Sequence, residues 1–397
     1  MNSYIKEALK DRKEKKRMPI EICKQEKCTG CFTCMNICPK DAIIVGEDIY
    51  GKTIPVINKE KCIECGLCVK KCPINHPVKL SHPQKCYAAW GKEREEREDC
   101  ASGGIATVFS NCVISENGVV YGTAFNDKLE LVHTEAKKKE ELQKFKGSKY
   151  VQSYIGLIFR QIKQRLEEGK CVLFIGTPCQ VAGVKSYLGK DYENFLTVDI
   201  ICHGTPPMKY LKEYMDVVDR NHKVKNIVFR GKKDYYFTLY DEEGVFSCKK
   251  SSCDFYFYGF LQGLIHRDNC YICNWARPER CSDITIGDFW GLDKKSLKVQ
   301  YEGKVSVVLI NTIAGEKFWE KYKNHFYWEE RTVDEAINKN AQLKKPSVCH
   351  PDRKYFLERY KDKGFVKAVK TPKMIKKIYI HRIKNTALYK KLRNKSE

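Results

Sequence analysis

The chain has 397 residues, 42% hydrophobic and 31% charged, enough for two or three domains with their own cores. It carries 21 cysteines, but its first residues, MNSYIKEALKDRKEKKRMP, are charged and lack the apolar stretch of a secretory leader, and no run of 18 apolar residues offers a membrane span. A disulfide-stapled secreted protein is therefore not expected, and metal ligation in a reducing cytoplasm is. The formal charge of +23, from 73 Lys and Arg against 50 Asp and Glu, comes without a nucleic-acid recognition motif or base-reading helix. No nucleic-acid partner is expected; the excess suits acidic protein partners or an anionic membrane surface.

In chain order, the first chemistry lies in CTGCFTCMNICP (28–39) and CIECGLCVKKCP (62–73). Both read Cys-x2-Cys-x2-Cys-x3-Cys-Pro, the spacing of the bacterial two-cluster ferredoxin, so residues 19–80 are expected to form a 2[4Fe-4S] ferredoxin domain. Three closely spaced thiolates wrap one face of a cubane, and the fourth, set off by three residues and turned by proline, reaches the other. Cluster one is assigned to Cys28, Cys31, Cys34 and Cys72, and cluster two to Cys62, Cys65, Cys68 and Cys38. Gly30 and Gly66 suit tight turns that aim backbone N–H groups at sulfides. A pair of zinc knuckles shares the Cys-x2-Cys halves but not four cysteines and a terminal proline, twice. With its thiolates, each oxidised cluster site carries about −2, which offsets part of the formal charge. AIIV and TIPVIN around GEDIYGK predict a hairpin between the repeats.

After the Pro-rich linker PINHPVKLSHPQK, two further segments are expected, 84–165 and 166–335, forming a mixed α/β body with short parallel strands. Ser102, Gly103 and Gly104 open a predicted helix from Ile105 to Ile114, a small-residue turn that can hold an anion or simply cap a surface helix. FKGSKYVQSYIG, with Gly147, Ser148, Lys149 and Tyr150, is a second polar turn before an amphipathic helix. No Gly-x-Gly-x-x-Gly occurs, so a Rossmann dinucleotide fold is not expected. Val172 to Ile175 and Leu196 to Ile201 read as buried parallel strands, each followed by a turn and a helix, and DITIGDFWG reads as a third strand.

Cys179 and Cys202 follow the first two of these strands, while Cys270, Cys273 and Cys281 lie just ahead of the third. Ligands of open parallel sheets sit beyond the carboxyl ends of strands, so five thiols can converge where a cubane needs four. A third [4Fe-4S] cluster is expected on Cys270, Cys273 and Cys281, with Cys179 or Cys202 as fourth ligand. A structural zinc on the same ligands, or free buried thiols, are the competing readings. Cys23, Cys86, Cys100, Cys112, Cys171, Cys248, Cys253 and Cys349 show no ligand spacing.

ASGGIATV, KGSKYVQS, GTPCQVAGVKSYL, VDIICHGTPP, FRGKKDYYFTL and CYICNWARPERCSDITIGDFWG occur in that order. Together they resemble the beta-subunit family of the deazaflavin-coenzyme (F-420) hydrogenases and dehydrogenases, from about Cys86 to Trp328. The resemblance implies FAD with a 4Fe–4S cluster beside it, in an iron–sulfur flavin-dependent oxidoreductase. Reduced ferredoxin or a similar donor would supply electrons, and a small-molecule or protein acceptor would receive them. It also implies flavin contacts from Ser102, Gly103, Gly104, Ser148, Lys149 and Tyr150. Asp199, His203 and Asp288 would place flavin or substrate, and Arg230, Lys232 and Lys233 would hold an anionic group. Asp234-Tyr235-Tyr236 stands where relatives carry Gly-Trp, a departure that argues against the deazaflavin as acceptor. Fused members of the family resemble those encoded with surface-polysaccharide enzymes. The alternative is a non-catalytic electron-transfer subunit serving a partner enzyme.

Residues 336–397 read as a basic helical tail, with 11 Lys and Arg and no acids from Lys367 to Lys395. Ile375, Ile378, Tyr379 and Ile383 share one helical face, the pattern of a helix lying on anionic lipid or packed on the body. The expected location is cytoplasmic, with peripheral contact at the inner membrane face.

Overall fold

The computed structural model describes residues 21–219, 224–230 and 235–386. The charged N-terminal stretch, Lys232, Lys233 and Asp234, and the end of the basic tail lie outside the described residues.

In the N-terminal module the middle cysteines of the two repeats fall in or beside short helices, α1 (Thr33–Ile37) and α2 (Leu67–Lys70). Between them the two predicted strands pair antiparallel as β1 (Ile43–Glu47) and β2 (Thr53–Ile57). Ile22, Phe32, Met35 and Ile43 close around Cys34, Cys68 and Cys72. Thiols are thus much of what this small module buries, and a core of that size leans on its metal for stability.

The body follows in chain order. It begins with β3 (Lys85–Gly91), α3 (Ile105–Ser115), β4 (Val119–Phe125), β5 (Leu131–Ala136) and α4 (Ile158–Glu167). Next come β6 (Val172–Gly176), α5 (Pro178–Leu188), β7 (Phe195–Ile200) and α6 (Met208–Val218). A small antiparallel sheet, β8 (Asn226–Val228), β9 (Tyr236–Tyr240) and β10 (Val245–Lys250), precedes α7 (Phe255–Leu261). Strand β11 (Ile284–Asp288), β12 (Ser306–Ile310), α8 (Ile313–Tyr322), β13 (Phe326–Arg331), α9 (Arg353–Ala368) and α10 (Pro372–Lys384) complete it.

One eight-stranded sheet runs β13-β3-β12-β11-β7-β6-β4-β5. Its centre, β4, β6, β7 and β11, is parallel, as the apolar runs predict. Both flanks are antiparallel, and strands from either side of residue 165 share the sheet. Local sequence sets α5 firmly: Thr177 and Gln180 form a capping box, Pro178 takes the first turn, and Gly189 closes the end at φ 67°. Strand β6 therefore stops at Gly176 and Cys179 is delivered at the sheet's carboxyl edge.

A second core gathers α6, α7 and the small sheet around Tyr210, Phe229, Phe237, Tyr256 and Phe257, and takes in Phe356, Phe365, Met374 and Ile378 from the tail helices. The tail is therefore part of the body. Ile378 packs inward, while Ile375, Tyr379 and Ile383, read as sharing its face, stay exposed. Among the described residues no helix is long and apolar enough to cross a membrane.

The ferredoxin-like module is seated on α4 and α5. Thr33 donates its hydroxyl to Gly183 O at 3.0 Å, and Ser186 to Lys71 O at 2.8 Å. Arg160 donates to Asn36 O at 2.8 Å and Cys38 O at 2.9 Å.

Candidate functional site

The fold sorts the cysteines into three groups. In the inner group, burial holds the Cys34 thiol well above its ordinary range, with Cys31, Cys28 and Cys72 as its charged neighbours. The second half of the module thus brings Cys72 beside the first three thiols, the neighbours that the Cys-x3-Cys-Pro spacing leads one to expect. In the outer group, Cys38, Cys62, Cys65 and Cys68 line one hollow with Ile43, Ile57 and Ile63. Cys65 is exposed, whereas Cys31, Cys34 and Cys72 are buried. One residue escaped the sequence reading here: the Cys23 thiol hydrogen-bonds to both Cys28 and Cys72, lowering the pKa of each.

The third group lies in the body. Burial raises the Cys179 thiol, and its like-charged neighbours are Cys202, Cys273 and Cys270. Burial pushes Cys202 up to about 12, opposed by the Gly204 N–H, which points at its sulfur from 3.4 Å. The Thr205 N–H approaches the Cys270 sulfur at 3.5 Å. Backbone donors aimed at thiols suit ligands that carry negative charge. Cys179 and Cys202 are therefore both present, and Cys281 is the thiol set apart. Its Sγ donates to Pro178 O at 3.4 Å, and its charged neighbours are Asp199, Arg280 and Lys185, not a cysteine. Cys281 starts the run into β11 and sits in the apolar layer under α5, against which Cys179 and Cys273 also pack. Among the described residues no three His, Cys, Asp or Glu side chains close on the point of a single metal ion. A cubane binds its ligands at four separate irons and needs them further apart than one ion does.

Cys179, Cys202, Cys270 and Cys273 form part of the wall of a cavity of about 570 Å³, within the usual size of a small-molecule site. Ser102 and Gly104 line it at the N-terminus of α3, as do Ser148, Lys149, Tyr150, His203, Arg230 and Asp288. The other two expected contacts are not on its wall. Gly103 is locked into the sheet edge, accepting from the Gly91 N–H at 2.8 Å and donating to Ser306 Oγ at 2.9 Å. Asp199 is fully buried beneath the cavity and ion-paired with Arg280 at 3.0 Å, so it positions Arg280, which lines the wall.

Lys149 turns back on its own loop, donating to the carbonyls of Phe145 at 3.0 Å and Lys146 at 2.7 Å, and burial draws its ammonium down to about 7. Arg230 pairs with Asp288 at 2.7 Å beside the Tyr235 ring. Burial lowers the His203 pKa, so its imidazole is neutral at pH 7. Small residues and a helix N-terminus fit a flat cofactor with a phosphate-bearing tail. Gln152, Asn269 and Trp275 also line the cavity, scattered polar and aromatic residues with no spacing to mark them in the sequence.

Residues 27–76 match the 4Fe-4S dicluster domain, and residues 169–336 match the C-terminal region of the coenzyme F420 hydrogenase/dehydrogenase beta subunit. Among solved structures, the chain is similar to one in the F420-reducing [NiFe] hydrogenase complex from Methanosarcina barkeri. That likeness has 20% identity and a TM-score of 0.44, over 66% of this chain and 91% of that one. No curated protein sequence matches it. The chain thus joins a 4Fe-4S dicluster domain to a C-terminal domain of the F420 hydrogenase/dehydrogenase beta-subunit family, the two resemblances read from its motifs.

Proposed function

We propose that the protein is an iron–sulfur, flavin-dependent oxidoreductase that takes single electrons at its exposed thiol group and serves a two-electron acceptor in the body cavity. The observation that carries this reading is the succession of three thiol groups, one reaching the surface at Cys65, one mostly buried and one cavity-lining, that ends at a pocket of cofactor size. A flavin held there supplies the change from single electrons to pairs that metabolite reduction requires. In this reading Ser102, Gly104 and the first N–H groups of α3 hold its phosphates, Tyr150 flanks the ring system, and Cys179, Cys202, Cys270 and Cys273 hold a third [4Fe-4S] cluster. Reduced ferredoxin is the donor this reading favours. Helix α10, with Ile375, Tyr379 and Ile383 exposed among lysines, would set the enzyme on an anionic membrane surface.

The test is iron, zinc and flavin analysis of anaerobically purified full-length protein and its Cys202→Ser/Cys270→Ser variant. About 12 irons and one flavin, falling to about 8 irons in the variant, support the reading. About 8 irons with one zinc and no flavin, the zinc lost in the variant, would replace it with a ferredoxin on a zinc-stabilised binding domain.

A further inference from the structure

We propose that Arg267 supplies the positive charge that keeps the inner ferredoxin site, Cys28, Cys31, Cys34 and Cys72, reducible and so draws electrons inward from the exposed site. The proposal deepens the electron-transfer reading and rests on it. An oxidised cubane site of about −2 gains one more negative charge on reduction, and burial opposes that gain. The outer site has one exposed and one buried thiol, Cys65 and Cys68; the inner one has three buried and none exposed. Burial alone would therefore strand each electron at the surface.

Arg267 is only 2% exposed, and every acceptor its guanidinium reaches is neutral. They are Cys28 O at 3.1 Å, Thr53 O at 3.1 Å, Gln152 Oε1 at 2.6 Å and Asn269 Oδ1 at 3.2 Å. Three other buried cations have carboxylates: Arg280 has Asp199, Arg353 has Asp268, and Lys52 of the ferredoxin-like module has Asp48 and Asp268. Among the described residues no carboxylate pairs with Arg267. A buried guanidinium without a counter-charge is too costly for a fold to keep, so its anion must be close by. The cluster site held by the inner thiols is that anion, for Arg267 Nη2 lies 3.1 Å from the carbonyl of Cys28, one of its ligands.

The local chain is built around this contact. Gly30 sits at φ +65°, and a Cβ there would fall 2.5 Å from Gln152 Nε2 and 3.2 Å from Arg267 Nη2. The Arg267 carbonyl accepts the Cys270 N–H at 3.0 Å, so one residue links the inner site to the body thiols. No bond is made or broken. One electron from a one-electron carrier reduces the outer site, which is reoxidised as the inner site is reduced, and Arg267 only biases that exchange.

The test is a potentiometric titration followed by electron paramagnetic resonance, with iron analysis, on full-length protein, Arg267→Gln and Arg267→Lys. In Arg267→Gln one of the two ferredoxin midpoints should fall by about tenfold in reduction equilibrium, about 59 mV for a one-electron couple, while the other stays. Arg267→Lys should recover most of that shift. Loss of about four irons in the Gln variant, with iron kept in the Lys variant, would show the same need for charge. Unchanged midpoints at full iron in Arg267→Gln would overturn the proposal. So would a Lys variant that behaves like the Gln variant in midpoint or iron, since Arg267 would then be only a strut. Flavin content is read separately, so failure of the flavin reading leaves these outcomes distinct.

Discussion

Gly183, midway along α5, packs directly against the ferredoxin-like module. A Cβ there would stand 2.9 Å from Thr33 Oγ1, 3.0 Å from Cys31 Cβ and 3.3 Å from Cys31 Sγ. Ordinary carbon contacts lie at about 3.5 to 4 Å, so one methyl overlaps its neighbours by about half an ångström. Alanine should gain about 1 kcal/mol in helix propensity and lose about 1 to 3 kcal/mol to overpacking. It also strains the bond from Thr33 Oγ1 to Gly183 O, itself worth about 1 kcal/mol. Gly183→Ala should therefore be destabilised by about 1 kcal/mol. In Gly183→Leu the added atoms can only push Cys31 away, and the loss should reach about 3 kcal/mol. Thermal unfolding with iron analysis separates the cases: the Leu variant should lose about four irons or show an early melt of the module. A Leu variant that melts with the wild type and keeps its iron would refute the seating of Cys31 on α5.

Further outcomes follow from the same geometry. Cys202→Ser should lose about four irons, whereas Cys281→Ser should keep them all, because Cys281 bonds Pro178 O. Asp199→Ala should cost about 3 to 5 kcal/mol in chemical denaturation, since Arg280, 2% exposed, is left without its carboxylate. Burial holds His133 at about 4 against an ordinary 6.5, so the unfolded chain binds its proton first. Its contribution is complete above about pH 6.5 and disappears as pH falls toward 4, a loss of about 3 kcal/mol. His133→Phe should flatten the difference between melts at pH 5 and pH 7.5; an equal drop in variant and wild type would assign the acid sensitivity elsewhere. Full-length protein should co-sediment with phosphatidylserine vesicles and not with phosphatidylcholine vesicles, and Ile375→Asp/Ile383→Asp should abolish binding. Equal binding to both lipids would remove the membrane role.

The features legible in the sequence are those whose signal is local. Cys-x2-Cys spacing is a statement about a few residues of backbone, and it was enough to group Cys72 with the first repeat and Cys38 with the second. Short, mostly apolar runs marked β6, β7 and β11, because a strand buried on both faces leaves few positions to polar residues. The antiparallel flanks were not legible: β3 and β13 pair across more than 200 residues, and nothing within either segment names its partner. The direction of each body thiol was not legible for a related reason. Cys281 has ligand-like spacing from Cys273, yet the direction of its side chain is set by the strand that follows it, and Asp283 anchors that turn by accepting from the Thr197 N–H at 2.9 Å. Arg267 and Cys23 carry no motif at all; their meaning lies in what long-range folding leaves beside them.

Helix α5 ties these observations into one argument. Its first turn carries Cys179 at the cavity, and Gly183 rests on Cys31 of the inner ferredoxin site. Four residues of helix rise about 6 Å, so the two thiol groups are held one turn apart by a rigid element. Arg267 spans the same gap on the other side, through Cys28 O and the Cys270 N–H. Two independent short links between the same pair of sites leave little freedom in their separation. An electron-transfer chain requires that constancy, because transfer depends steeply on distance, whereas a ferredoxin module appended only for recruitment would have no use for it. The close approach at Gly183 and the neutral cradle around Arg267 are therefore better explained by a wire into the cavity than by a tether.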